Sequence, residues 1–175
     1  MTTLLLTVIG DDRAGLVKAL ADVVRDHDGN WERSHLAEMA GTFAGIVEVW
    51  VPDPRAAELQ EALRPLRGLL DVAVHTAAAE APAPRREVVV EGLGNDHPGI
   101  LQAVSGALAE HQLSVTALET STRDAPMAGG RLFEARAVVA VPDGLDLGAL
   151  QAGLERIASE VLVDVTVVPV SRAQA

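Results

Sequence analysis

The chain predicts an α+β protein made from one six-element unit used twice: strand, helix, strand, strand, helix, strand. Three observations carry this expectation. A polar turn, Gly10-Asp11-Asp12-Arg13-Ala14-Gly15-Leu16, returns as Gly94-Asn95-Asp96-His97-Pro98-Gly99-Ile100. Each copy follows a short apolar run and precedes an apolar period of the helical kind. Sliding the sequence on itself until Gly10 lies on Gly94 also lays Gly15 on Gly99, Asn30 on Ser114 and Trp31 on Val115. Between the halves, residues 77–86 are rich in Ala and Pro and lack any apolar period, which is the composition of a semi-extended linker. The predicted layout is a first domain over 1–76, a linker over 77–86 and a second domain over 87–171.

The elements follow in order. Residues 4–9 are β-prone and apolar on both faces, which predicts a central strand. A helix is predicted from 15 to about 27, with Leu16, Leu20, Val23 and Val24 on one stripe and Lys18, Asp22 and Arg25 off it. Asp28-Gly29-Asn30 should end it, Gly29 serving as a left-handed residue after the last turn. Strands over 31–40 and 43–51 form a hairpin around Gly41. Pro52-Asp53-Pro54 stops the second of these and starts a helix over 55–63, and a strand follows over 69–76. The second copy predicts a strand over 87–93 and a helix over 99–111. Strands over 113–122 and 131–141 join through a longer turn, and a helix over 147–159 and a strand over 161–170 complete it. Residues 171–175 form a frayed tail.

Hand and order then fix the fold. Both strand–helix–strand crossovers must be right-handed, which lands both helices on one face of the sheet. Each unit becomes a four-stranded antiparallel sheet of the ferredoxin-like kind. Units of about 75 residues with aliphatic cores are marginal alone, and their sheet edges invite pairing, a homodimer included.

The paired turn is the candidate site. Asn95 and Asp96, like Asp11 and Asp12, are expected to cap the free helix N–H groups with their side chains. The leading glycine should allow a sharp turn, and Pro98 should sit in the first helical turn. Gly15 and Gly99 keep the helix start bare, so a ligand can approach. Unpaired N–H groups and the helix dipole attract an anion there, while the neighbouring carboxylates attract a cation. Together they suit a small zwitterion such as a free amino acid. Asp96→Ala and Gly99→Val are expected to abolish such binding and leave the fold intact.

Composition excludes several functions. A net charge of −11 opposes contact with a phosphate backbone, and two Trp, two Phe and no Tyr leave almost no platform for stacking bases. The chain contains no Cys, so disulfides and thiolate metal sites are ruled out. The five His never stand at ligand spacing, so no metal is expected. The N-terminus lacks the basic region and length of a signal peptide or a membrane span, making a cytoplasmic location the expectation. Gly92-Leu93-Gly94 opens like a dinucleotide fingerprint but lacks its third glycine and the doubly wound setting. Neither a nucleophile elbow nor a facing acid–base pair is present, so no catalytic residue and no cofactor is assigned. His27 and His111, near the ends of matched helices, fit a structural role at the helix C-terminus.

The sequence resembles the tandem ACT-domain proteins, and in particular the glycine cleavage system transcriptional repressor group. The family's turn, strand then Gly-x-Asp-Arg/His-Pro-Gly-Ile/Leu, is complete in Gly94–Ile100. It is nearly so in Gly10–Leu16, where Ala14 replaces the usual Pro. Gly29-Asn30-Trp31-Glu32 is similar to the family's helix-to-strand corner. The resemblance implies a non-enzymatic regulator that binds a small amino acid, glycine among the candidates, between this turn and a neighbouring sheet edge. It implies action through a protein partner such as a LysR-type activator, with no direct contact to nucleic acid or membrane. The implied ligand-binding residues are Asn95, Asp96, His97, Pro98, Gly99 and Ile100, with Asp11, Asp12, Arg13, Gly15 and Leu16 in the first copy. Ala14 leaves the first copy the less rigid of the two. Two alternatives stand beside this: an acylphosphatase-like enzyme on the same scaffold, and a docking module with vestigial loops.

Overall fold

The computed structural model describes residues 1–66, 68–76, 86–125, 129–160 and 162–169. The chain divides into two compact units, Met1–Ala81 and Pro82–Ala175. Most of the expected linker, the apex of the second hairpin and the tail lie outside the described residues.

Unit 1 comprises β1 (Thr2–Asp11), α1 (Leu16–Asp26), β2 (Asn30–Met39), β3 (Thr42–Val51), α2 (Ala56–Leu63) and β4 (Asp71–Thr76). Its sheet runs β2-β3-β1-β4 with every pair antiparallel, which puts β1 in the interior. Unit 2 repeats the plan with β5 (Arg86–Asn95), α3 (Ile100–Glu110), β6 (Ser114–Asp124), β7 (Arg131–Val141), α4 (Leu147–Glu160) and β8 (Val163–Pro169). Its sheet runs β6-β7-β5-β8. Two ferredoxin-like α+β units are therefore present. Arg86, expected in the linker, is the first residue of β5, where it pairs with Val141.

Side-chain alternation decides which sheet face each core occupies. On β1, Leu4, Leu6 and Val8 are buried, and they meet Val47, Val49 and Val51 of β3 beneath α1 and α2. Helix α1 presents Leu16, Leu20 and Val24, one per turn, and α2 presents Leu59 and Leu63. In unit 2 the same face joins Val88 and Val90 to Val139 and Val141, under Ile100, Leu108, Leu150 and Leu154. The opposite face of β1 carries Ile9 at 52% exposure, so its two apolar faces are not both buried.

Several boundaries move for identifiable reasons. Gly29 is not the left-handed residue after α1: that conformation falls on Asp28, at φ 57°. Gly29 is needed because a Cβ there would stand 2.9 Å from both Cγ1 and the carbonyl oxygen of Val24. The start of α2 is a 3₁₀ turn over Asp53–Arg55, and the helix proper begins at Ala56. Leu69 and Leu70 form no strand because both amides bond the Leu66 carbonyl, at 2.8 Å each. The imidazole of His27, as expected for the end of α1, bonds the Val23 carbonyl at 2.8 Å. At the start of α4 the Asp146 carboxylate accepts from the Gly148 and Ala149 amides, at 2.8 and 3.2 Å.

Candidate functional site

The turns joining β1 to α1 and β5 to α3 share an aspartate and a glycine at the same spacing before the helix and are largely exposed. The residue preceding each helix is glycine in the left-handed region: Gly15 at φ 97° and Gly99 at φ 102°. A side chain at either would meet no atom within 4 Å, so what demands glycine there is the backbone angle, not crowding. The Gly15 and Gly99 carbonyls accept the first helical bonds, from Ala19 and Ala103, each at 2.9 Å.

Neither helix start carries a side-chain cap, contrary to the role expected of Asp11, Asp12, Asn95 and Asp96. Asp11 and Asn95 are the last residues of β1 and β5, paired with Thr42 and Leu132. The Asp12 and Asp96 amides extend the ladder by bonding the Gly41 and Arg131 carbonyls, both at 2.8 Å. The backbone is thus held in strand geometry up to the aspartate, and its carboxylate projects outward. Pro98 precedes Gly99 and so stands before the first helical turn rather than inside it.

The leading glycines have a different cause from the one expected. Gly10 and Gly94 lie within the extended ladder, opposite Phe43 and Phe133. A Cβ on Gly10 would stand 2.5 Å from the Leu69 carbonyl oxygen; on Gly94 it would stand 2.7 Å from the Leu162 oxygen. They admit the connection that leads into the neighbouring edge strand.

Of the eleven sequence-predicted residues, Asp11, Asp12, Arg13 and Gly15 are exposed, as are Asn95, Asp96, Pro98 and Gly99, and His97 is half-buried. Leu16 and Ile100 are only 2% exposed, their side chains committed to the two cores. The two copies hold Arg13 and His97 differently. The Arg13 guanidinium donates to the Gly68 carbonyl at 2.6 Å, tying the first turn to the connection before β4. Nδ1 of His97 is 3.0 Å from the Pro98 carbonyl, a contact within its own turn. Gly99 borders a shallow depression of about 440 Å³ that also touches Gln102, Gly106, Glu110 and Arg156. Each turn therefore presents backbone donors without a side-chain cap next to an outward carboxylate, the two halves of a zwitterion's recognition. Among the described residues no cluster of three or more His, Asp or Glu side chains could hold a metal ion. No helix there is long and apolar enough to cross a membrane.

Sequence reasoning missed one feature near this site. An apolar cavity of about 40 Å³ lies between α3 and the sheet of unit 2, bordered by Gly92, Ile100, Leu101, Val115, Leu118 and Ala137 among others. The small residues that open it were visible in the sequence, but their convergence was not.

A doubled ferredoxin-like unit with a glycine-started helix after its first strand defines a recognisable class. Residues 2–77 match the family model described as ACT domain, and unit 2 repeats the topology of unit 1. The first unit is therefore similar to the ACT-domain family over its whole length. A solved structure described as an unknown protein from Galdieria sulphuraria is similar over 97% of this chain and 99% of its own, with 29% identity and a TM-score of 0.87. A second structure, provisionally named a glycine cleavage system transcriptional repressor, is similar in fold over 97% of this chain and 98% of its own. Its identity is 17% and its TM-score 0.71. No curated protein matches the chain.

Proposed function

We propose that the chain is a cytoplasmic, non-enzymatic regulator that senses a small amino acid and signals through a protein partner, in the manner of a glycine cleavage system transcriptional repressor. The observation that carries this reading is the doubled turn: two uncapped helix starts, each behind a left-handed glycine and beside an outward aspartate. The α-carboxylate of an effector would take the free N–H groups of α3, and its ammonium would lie toward Asp96. The second turn is assigned as the principal site because the Arg13–Gly68 bond already ties the first to its own unit. The net charge of −11 directs any effect on transcription through a protein such as a LysR-type activator rather than onto DNA. An effector shifts the protein only by the difference in its affinity for two states, so a partner must bind those states unequally.

A thermal-shift series across the free amino acids, glycine included, tests the reading. A saturable rise in Tm with one or a few of them is the expected result; no rise at millimolar concentration removes it in favour of a docking module. The acylphosphatase-like alternative is tested by turnover of an acyl phosphate. The carboxylates of Asp11 and Asp12 beside Arg13 would repel that substrate, and no turnover is expected.

A further inference from the structure

We propose that unit 2 contains a second binding site, separate from the turn: the cavity between α3 and its sheet, which takes the branched aliphatic end of a small molecule. The two units share one register, so positions can be matched through their strand partners. Val8 pairs with Gly45 in unit 1, and Gly92 pairs with Ala135 in unit 2. Val47 pairs with Leu6, and Ala137 with Val90. Trp31 pairs with Val49, and Val115 with Val139. Where unit 1 has valine, valine and tryptophan, unit 2 has glycine, alanine and valine. All three of the smaller residues border the cavity. Bulk is gained at two other lining positions, Ala135 against Gly45 and Leu118 against Ser34, and the three losses still converge on one space.

Size and lining select the occupant. The volume, about 40 Å³, exceeds the ~10–15 Å³ that one water occupies but is far below the ~150 Å³ that admits benzene. An isopropyl-sized group fits and an aromatic ring does not. The walls present hydrocarbon only. Ser105 borders the space, but its hydroxyl donates to the Gln102 carbonyl at 3.2 Å and adds no polar anchor. Water needs two or more polar partners and finds none, and a charged group would lose its hydration without compensation. At the mouth, Leu101, Val115 and Leu118 are 40%, 40% and 47% exposed, which gives an apolar way in. The occupant is therefore a molecule whose branched aliphatic end enters while any polar part stays outside.

The test is methyl NMR on the full chain, titrated with xenon, with isobutanol and with benzene as the oversized control. Xenon and isobutanol should give saturable shifts confined to the methyls of Ile100, Val104, Val115 and Leu118, and benzene should give none. Gly92→Ala and Ala137→Val fill the space from two sides, and each should weaken both probes at least tenfold. A Cβ on Gly92 meets Val163 at 3.5 Å, an ordinary contact, so that variant folds even if the other does not. Asp96→Ala should leave both probes unaffected, which separates this site from the turn. The absence of saturable shifts in the wild type, equal shifts in the filled variants, or saturable benzene binding would each overturn the proposal.

Discussion

Between α1 and its sheet, Val8, Val47 and Trp31 fill the interior of unit 1; at the matching places of unit 2, Gly92, Ala137 and Val115 leave a cavity. The helix surfaces differ in the same direction. On α1, Lys18, Asp22 and Arg25 form a chain of ion pairs, whereas the matching residues on α3 are Gln102, Gly106 and Ala109. The difference extends to the edge strands. In unit 2 the Gln151 amide clasps the outer edge of β8, donating to the Val165 carbonyl at 2.8 Å and accepting from the Val167 amide at 2.7 Å. The matching Gln60 of unit 1 is exposed. One scaffold, duplicated, carries bulkier side chains at these three places in one copy and leaves interior room there in the other. The topology tolerates both because the shared β-ladders and helix stripes supply most of the burial.

Substitutions that give one unit the residue of the other separate the two packings. The largest effect is expected from Trp31→Val, which gives unit 1 the residue of unit 2. The loss of buried aromatic surface and the space left behind should destabilise by about 2–3 kcal/mol in chemical denaturation. Gly99→Val comes next. The sequence alone implied that it would spare the fold, but a β-branched residue at φ 102° should cost about 2 kcal/mol, read from the same curves. In the opposite direction, Gly92→Ala should stabilise unit 2 by about 0.5–1 kcal/mol, through reduced freedom of the unfolded chain and partial filling of the cavity. The smallest effect concerns pH. The Lys18 ammonium, then Arg25, holds the Asp22 carboxyl below its usual 3.8. Because the folded value is depressed, the stability it contributes is complete above the unfolded value and lost as pH falls through the folded one. The small Tm advantage of wild type over Asp22→Asn should therefore be present at neutral pH, begin to shrink as pH falls past 3.8, and vanish only below the lower folded value.

Much of this was legible in the sequence. Each predicted element exists, in order, because the periods that define strands and helices are local properties of the chain. The ends of elements were less legible because tertiary contacts set them. Gly10 and Asp11 have poor strand propensity, yet β3 holds them in the ladder as far as Thr42. Leu69 and Leu70 have high strand propensity but are drawn into a turn by the Leu66 carbonyl. The glycines of the site were recognisable while their reasons were not. The first of each pair answers a neighbour that approaches from far along the chain, and only the second answers its own backbone angle. The capping role assigned to the aspartates failed on the same ground, since the extended strand carries their side chains away from the helix start.

Titration calorimetry on the full chain reads whether the second turn holds a free amino acid. Wild type should give saturable heat with at least one small amino acid. That heat should disappear in Asp96→Ala while the far-UV spectrum and Tm stay unchanged, and it should persist in Asp12→Ala, which alters only the first turn. Affinity retained in Asp96→Ala, or lost only in Asp12→Ala, would contradict it.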